Sequence, residues 1–420
     1  MRRLTAQCRG ARTQPRRSPS LDALLSDTDA DRAREAVGEI ADAVRDPKTF
    51  EIDPELTGPG LAGGSPGAAV LFAHLGQNET ALEFLDRALE RASDDTPSLP
   101  LYVGTPGVGW TLAYLERFVL DPDEGDNDVD ELVDIGLKSQ FARREFDLIR
   151  GTTGLGVYLI ERGRPIDGVV TALADSATET GDGITWWVDP RTVLPERAEL
   201  FPDGYYDVGM AHGQAGVVAM LAHGYAAGTE SAKPLLENAL RWLLAQRLPE
   251  GEGPGRYPLL FGMDGKRSGG RMAWCYGDIG VAVALLAAGR ALGDDAVLEE
   301  AHDLALFCAD RPMEHAGVLD ASLCHGSAGL ALMFARLAHA FDEEKLADSA
   351  RTWGRVILDQ RIPGEPVGGI QYSVPQGDER GFEPRGGLLE GATGAALVLH
   401  ALSTDVAPDW DVLLLSRPVS

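Results

Sequence analysis

The chain has 420 residues, with 38 Lys and Arg against 65 Asp and Glu for a net charge of −27, and 44% of it is apolar. So acidic a surface repels phosphate backbones and anionic lipid, which argues against nucleic-acid and membrane-surface binding. Four cysteines in a chain this long do not make a disulfide framework, so a reducing cytoplasm and reactive or metal-binding thiols fit better.

The chain opens on a basic tail over residues 1–19, with Arg2, Arg3, Arg9, Arg12, Arg16 and Arg17 and no acid among the first 17. No apolar stretch follows it, so it is not read as a secretory signal but as a disordered extension. Residues 20–405 are expected to form one domain, and 406–420 a C-terminal tail. No apolar run reaches the ~18–20 residues needed to cross a bilayer, so no stable membrane insertion is expected. The domain is punctuated by a Gly-x-x-Gly step at Gly64–Gly67, Gly104–Gly107, Gly151–Gly154 and Gly213–Gly216, and again at Gly277–Gly280, Gly326–Gly329 and Gly391–Gly394. Each step opens a run rich in Ala, Leu and Val, such as GQAGVVAMLAHGYAAG or GSAGLALMFARLAHA. Runs apolar on nearly every side predict helices buried on most faces. Between them lie amphipathic segments with charged faces, among them ETALEFLDRALERA, DDAVLEEAHDLALFCA and EEKLADSARTWGRVILDQ.

The pattern is therefore outer helix, loop, Gly-x-x-Gly, inner helix, seven times over. A period somewhat above ~40 residues signals stacked helical hairpins. Such an array closes as an open solenoid or as a ring. A solenoid's concave helices would show more polar positions, so the pattern favours the ring, an all-α α/α toroid of about seven inner and seven outer helices. Inner-helix N-termini then gather at one mouth. Three connections are long: 181–206 is expected to be extended, whereas 249–271 and 363–387 are Gly- and Pro-rich loops. Each precedes a Gly-x-x-Gly step, so all three are expected at that mouth. The acidic stretch 121–134 reads as the solvated start of an outer helix.

Equivalent offsets in a ring lie at equivalent heights. Two residues before the first glycine stand Cys275 in the fifth repeat and Cys324 in the sixth; one residue before it stand His212, Tyr276 and His325. Cys275, Cys324 and His325 can thus converge, although each alone would pass for a core or satisfied polar residue. Two thiolates and an imidazole suit zinc, and three protein ligands leave a fourth position open for water or substrate. His212, Asp147, Arg271 and Tyr276 share this mouth. Cys8, in the tail, and Cys308, on an outer helix, read as inert, and the other histidines read as structural.

The strings WCYGDIG, CHGSAG, MAHGQAG and LLEGATG, with FDLIRGTTG for the third repeat, resemble the lanthionine synthetase C-like cyclases in order from about Leu61 to Leu402. The resemblance implies the toroid, a Zn2+ held by Cys275, Cys324 and His325, and catalytic roles for His212, Asp147, Arg271 and Tyr276. It implies addition of a cysteine thiol to dehydroalanine or dehydrobutyrine in a dehydrated precursor peptide, closing lanthionine or methyllanthionine rings. With no dehydratase domain in the chain, a separate dehydratase is the expected partner. The chemistry would have Arg271 stabilise the oxyanion and His212 protonate the α-carbon, while Asp147 takes the thiol proton or orients His212. Two alternatives remain open: coupling of glutathione or another thiol to dehydroamino acids, and a non-catalytic toroid that binds a thiol or peptide.

Overall fold

The Gly-x-x-Gly spacing is explained by where the incoming loop lies. In the computed structural model, which describes residues 21, 23–50, 60–94, 98–117, 119–120, 128–249, 251, 253–265, 267–268, 270–376 and 379–419, each step presses against backbone six residues earlier. A Cβ on Gly104 would fall 2.2 Å from the Ser98 carbonyl oxygen, and one on Gly107 would fall 2.4 Å from that of Leu101. Gly213 repeats the relation with Asp207 at 2.4 Å, and Gly216 with Met210 at 2.1 Å. Both glycines are needed because the loop rests on the helix's first turn with no room for a side chain. That contact lets loop carbonyls accept the N–H groups that a helix start leaves open: Thr105 donates to Ser98 (2.8 Å), Thr152 to Glu145 (2.8 Å) and Ala392 to Arg385 (2.9 Å).

Seven helices among the described residues begin at these steps. They are α2 (Ser65–His74), α4 (Thr105–Glu116), α6 (Thr152–Glu161), α9 (Gln214–Ala226), α11 (Asp278–Leu292), α13 (Ser327–Phe341) and α15 (Ala392–Ser403). Their residues are buried almost without interruption, as in Gln214–Gly224 of α9 and Asp278–Gly289 of α11. Seven amphipathic helices alternate with them: α1 (Asp27–Val44), α3 (Asn78–Asp94), α5 (Asp128–Arg143), α7 (Asp167–Ser176), α10 (Ala232–Ala245), α12 (Asp295–Ala309) and α14 (Glu344–Gln360). A short α8 (Pro195–Leu200) lies apart from the repeat.

The described residues pack as two units, one built from 1–140, 319–335 and 347–412, the other from 141–318, 336–346 and 413–420. In the first, Cys324 N–H donates to the Leu389 carbonyl (2.9 Å), Leu389 N–H to Ala62 (3.1 Å) and Ala62 N–H to Tyr102 (2.8 Å). The repeat starts are thus in register in the order six, seven, one, two, and α15 packs on both α1 and α2. The last repeat stands beside the first, which a ring requires and an open solenoid forbids. In the second unit the same bonds run from Leu148 to Ala211 (3.1 Å) and from Ala211 to Cys275 (3.2 Å), ordering repeats three, four and five.

The long connections carry strands. In the second unit β1 (Thr178–Thr180) and β2 (Gly183–Thr185) form a hairpin, while β3 (Trp187–Val188), β4 (Tyr205–Asp207), β5 (Leu260–Gly262) and β6 (Arg267–Ser268) form an antiparallel sheet in that order. Tyr206 pairs with Trp187 on one side and Phe261 on the other, so two connections far apart in sequence share one sheet. Phe201, Tyr205 and Leu260 form its buried core. In the first unit β7 (Gln371–Gln376) and β8 (Glu379–Pro384) form a second hairpin. The extended character expected of 181–206 is present there, interrupted by α8. The stretches 249–271 and 363–387 are not loops throughout, because their glycines and prolines leave short β-forming runs such as Leu260–Gly262 and Gln371–Val374 intact.

The end of the chain is packed. Leu413 and Leu414 are buried, and Trp274 Nε1 donates to the Leu414 carbonyl (2.9 Å). Residues 1–19, Cys8 included, and 121–127 lie outside the described residues. Among the described residues no helix is long and apolar enough to cross a membrane.

Candidate functional site

Cys275 and Cys324 stand at the same repeat offset, and His325 follows the second of them. Each offers one ligand atom, and these three atoms lie within 4.8 Å of one another. The donor set of two sulfurs and one imidazole nitrogen matches zinc. Cys275 is 5% exposed, whereas Cys324 and His325 are partly open. The third thiol, Cys308, is buried on α12, and burial pushes it well above the ordinary thiol range, as an inert cysteine requires.

The loop that carries His325 is tied down by a buried carboxylate. Asp320 Oδ1 accepts the Ser322 N–H (2.9 Å) and Oδ2 accepts the Ser373 N–H (3.0 Å), while His325 Nε2 lies 4.0 Å from Oδ2. The edge of the His325 ring meets Tyr372 of β7 at a centroid distance of 5.6 Å. The Arg385 guanidinium lies 4.3 Å over that tyrosine and pairs with Glu390 (3.1 Å) and Glu383 (2.7 Å). Burial, then the charge and hydrogen bond of Glu390, hold the Tyr372 phenol far above its usual range, so it stays a neutral donor.

In the second unit His212 and Asp147 come together from 65 residues apart. His212 Nδ1 lies 2.8 Å from Asp147 Oδ2, and Asp147 Oδ1 accepts the Arg150 N–H (2.6 Å). Burial alone would push the imidazole down; the hydrogen bond and charge of Asp147, then the charges of Asp207 and Cys275, hold its pKa above the ordinary value. Nδ1 is committed to the carboxylate, which leaves Nε2 as the working nitrogen. The Tyr276 ring stacks beside His212 (centroids 6.1 Å, 28°), and its hydroxyl donates to Asp207 Oδ2 (2.7 Å). Arg197 of α8 lies 6.0 Å from the Tyr276 centroid and 5.7 Å from that of Tyr205. Asp207, 2% exposed, is pushed up to about 6 by burial against the opposing pull of His212 and Tyr276. Arg271 lies six residues before Gly277, its Cβ close against Gly317, on a segment tied by the Met272 N–H to the Ala316 carbonyl (2.7 Å).

The structure brings His212, Asp147 and Tyr276 together in the second unit, with Cys275 next to Tyr276 in the chain. Sequence reasoning missed Asp207, Asp320, Tyr372 and Glu390. A signal for the first two was present: Asp-x4-His-Gly occurs in DVGMAHG and in DASLCHG, in the repeats that carry His212 and His325. Glu390 stands one residue before Gly391, the offset of His212, Tyr276 and His325; Tyr372 had no such marker, because a hairpin read as a loop delivers it.

A family model described as lanthionine synthetase C-like protein matches residues 55–415. The chain is 23% identical over 364 residues to the nisin biosynthesis protein NisC of Lactococcus lactis subsp. lactis, a match covering 82% of this chain and 73% of that protein. Among solved structures it is similar to a nisin cyclase, with a TM-score of 0.70 and 21% identity, over 91% of this chain and 97% of the other. That likeness shows the fold, and the α/α toroid predicted from the repeats is the fold observed.

Proposed function

The chain belongs to the lanthionine synthetase C-like family, and on that premise we propose that it is a zinc-dependent cyclase that adds a cysteine thiol to dehydroalanine or dehydrobutyrine, forming lanthionine or methyllanthionine. The observation that carries the reading is the grouping of Cys275, Cys324 and His325 donors within 4.8 Å, in a chain that also pairs His212 with Asp147 at 2.8 Å. Its substrate is a dehydrated precursor peptide, and its place of work is the cytoplasm.

Cys275, Cys324 and His325 would hold the zinc, which when bound would lower the pKa of a coordinated thiol toward neutral pH. The remaining chemistry falls to the chain's own side chains. As sulfur attacks the β-carbon, a C–S bond forms and the π pair moves toward the carbonyl oxygen. Arg271 supplies positive charge for that developing oxyanion. His212, kept protonated by Asp147, delivers its Nε2 proton to the α-carbon and takes one back from solvent, which receives the proton lost by the thiol, so the addition leaves the peptide mass unchanged. Tyr276 holds the imidazole plane from the side.

The test is incubation of the purified protein with a peptide containing one cysteine and one dehydroalanine, followed by thiol alkylation and mass spectrometry. Loss of the alkylatable thiol at constant mass, abolished by His212→Ala, is the expected result. A thiol that stays free, or equal closure by the variant, overturns the reading. Attachment of added glutathione in place of ring closure would assign the protein to external thiol coupling instead.

A further inference from the structure

We infer that Asp207 is a positioning residue for this reaction, fixing the Tyr276 hydroxyl so that the tyrosine ring holds the His212 imidazole in its working plane. The inference rests on the cyclase reading and adds to it a residue six positions before the first glycine of the fourth repeat.

Two carboxylates occupy one repeat offset. Asp207 and Asp320 each stand six residues before the first glycine of their repeats, and both are 2% exposed. In each, Oδ1 accepts the N–H two residues ahead at 2.9 Å, Gly209 in one case and Ser322 in the other. This shared bond builds the turn that leads to His-Gly. The second oxygens differ. Oδ2 of Asp320 takes a backbone N–H, that of Ser373 at 3.0 Å, whereas Oδ2 of Asp207 takes the Tyr276 hydroxyl at 2.7 Å. The turn needs only the first bond, so the Asp207–Tyr276 contact does something besides building the backbone.

What it does follows from the surroundings of Tyr276. The ring stacks on His212 at 28° and is faced by Arg197. Neither contact stops the ring from swinging about its own torsions; the hydroxyl bond to a buried, immobile carboxylate does. An aromatic ring pinned at its far end is a flat wall for the imidazole, and misplacement of a proton donor by about 1 Å can cost ~100-fold in rate. Gly209 completes the arrangement: a Cβ there would lie 2.7 Å from Tyr276 Cδ1 and 2.6 Å from the Cys275 carbonyl oxygen, so the backbone that carries Asp207 lies flat against the tyrosine.

The test uses the full chain loaded with zinc. Asp207→Asn is expected to lower kcat for ring closure roughly tenfold or more, within the range that positional errors produce, with KM and zinc content unchanged. Tyr276→Phe, which keeps the ring and removes its donor, is expected to lose a similar factor. The double variant is expected to be no slower than the worse single one, because both remove the same contact. Losses that multiply, a rise in KM alone, or a fully active Tyr276→Phe overturn the inference, and the last holds even if Asp207→Asn does not fold. A second readout is independent of turnover. In protein labelled with 3-fluorotyrosine, the resonance missing from Tyr276→Phe belongs to Tyr276, and Asp207→Asn is expected to shift it while Asp320→Asn leaves it in place. An unmoved resonance overturns the positioning role whether or not the wild type closes rings, whereas a moved resonance in a protein without ring closure sinks only the cyclase reading.

Discussion

His212 Nδ1 lies 2.8 Å from Asp147 Oδ2, a pairing of the third and fourth repeats across 65 residues of chain. The carboxylate fixes the tautomer and, against burial, keeps the imidazole charged above its ordinary range. Asp147→Asn is therefore expected to lower kcat by ~10²–10⁴, the usual worth of a positioned acid, with zinc content unchanged. The sign of the pH effect also follows. His212 works as imidazolium, so activity falls as pH rises through its raised pKa. Without Asp147 that pKa drops, and the alkaline limb of the kcat profile should move to lower pH. A rate profile that keeps its alkaline limb in the variant would remove Asp147 from this role.

The repeat was legible because glycine does one physical job at every copy. Where two glycines three apart must both press on backbone six residues earlier, no other residue fits, so the step is written into the sequence seven times. The offsets also singled out Cys275, Cys324 and His325 as candidates, once the repeats were taken to close as a ring. Asp207 was not found, because the Asp-x4-His-Gly spacing marks only its position, while its role depends on a hydroxyl 69 residues away. Strands β5 and β6 escaped for a similar reason. Leu260–Gly262 is three residues long and gains its pairing from β4, which lies in a different connection.

Buried His223 on α9 makes stability pH-dependent. Burial, then the charge of Arg417, push it down to about 3, and its Nε2 has no hydrogen-bond partner among the described residues. The folded state keeps it neutral, while the unfolded chain takes up a proton below its ordinary pKa of about 6.5. Stability from this group is therefore full above that pH and declines by up to about 1.4 kcal/mol per pH unit as pH falls toward 3. Urea midpoints measured between pH 7 and pH 4.5 should fall more steeply for the wild type than for His223→Gln. Parallel slopes would contradict the assignment.

Gly277 starts the helix that follows Cys275 and Tyr276. Its φ is +130°, and a Cβ there would fall 2.4 Å from the Arg271 carbonyl oxygen. Gly277→Ala should cost ~1–3 kcal/mol from backbone strain alone, seen as a lower urea midpoint. It should also displace Arg271 and Cys275, so zinc affinity is expected to fall with stability. Gly293→Ala makes a useful control: its φ is +65° with nothing within 4 Å, so it should lose stability by strain yet keep its zinc.

The central claim is that Cys275, Cys324 and His325 hold the zinc on which thiol addition depends. The most direct measurement strips the protein with a chelator, then titrates zinc back while following ring closure and bound metal together. The account predicts that closure is absent in the stripped protein and returns in proportion to zinc up to one ion per chain. Cys275→Ala and Cys324→Ala should neither retain zinc nor recover activity. Ring closure by stripped protein, or full zinc binding by both cysteine variants, would contradict it.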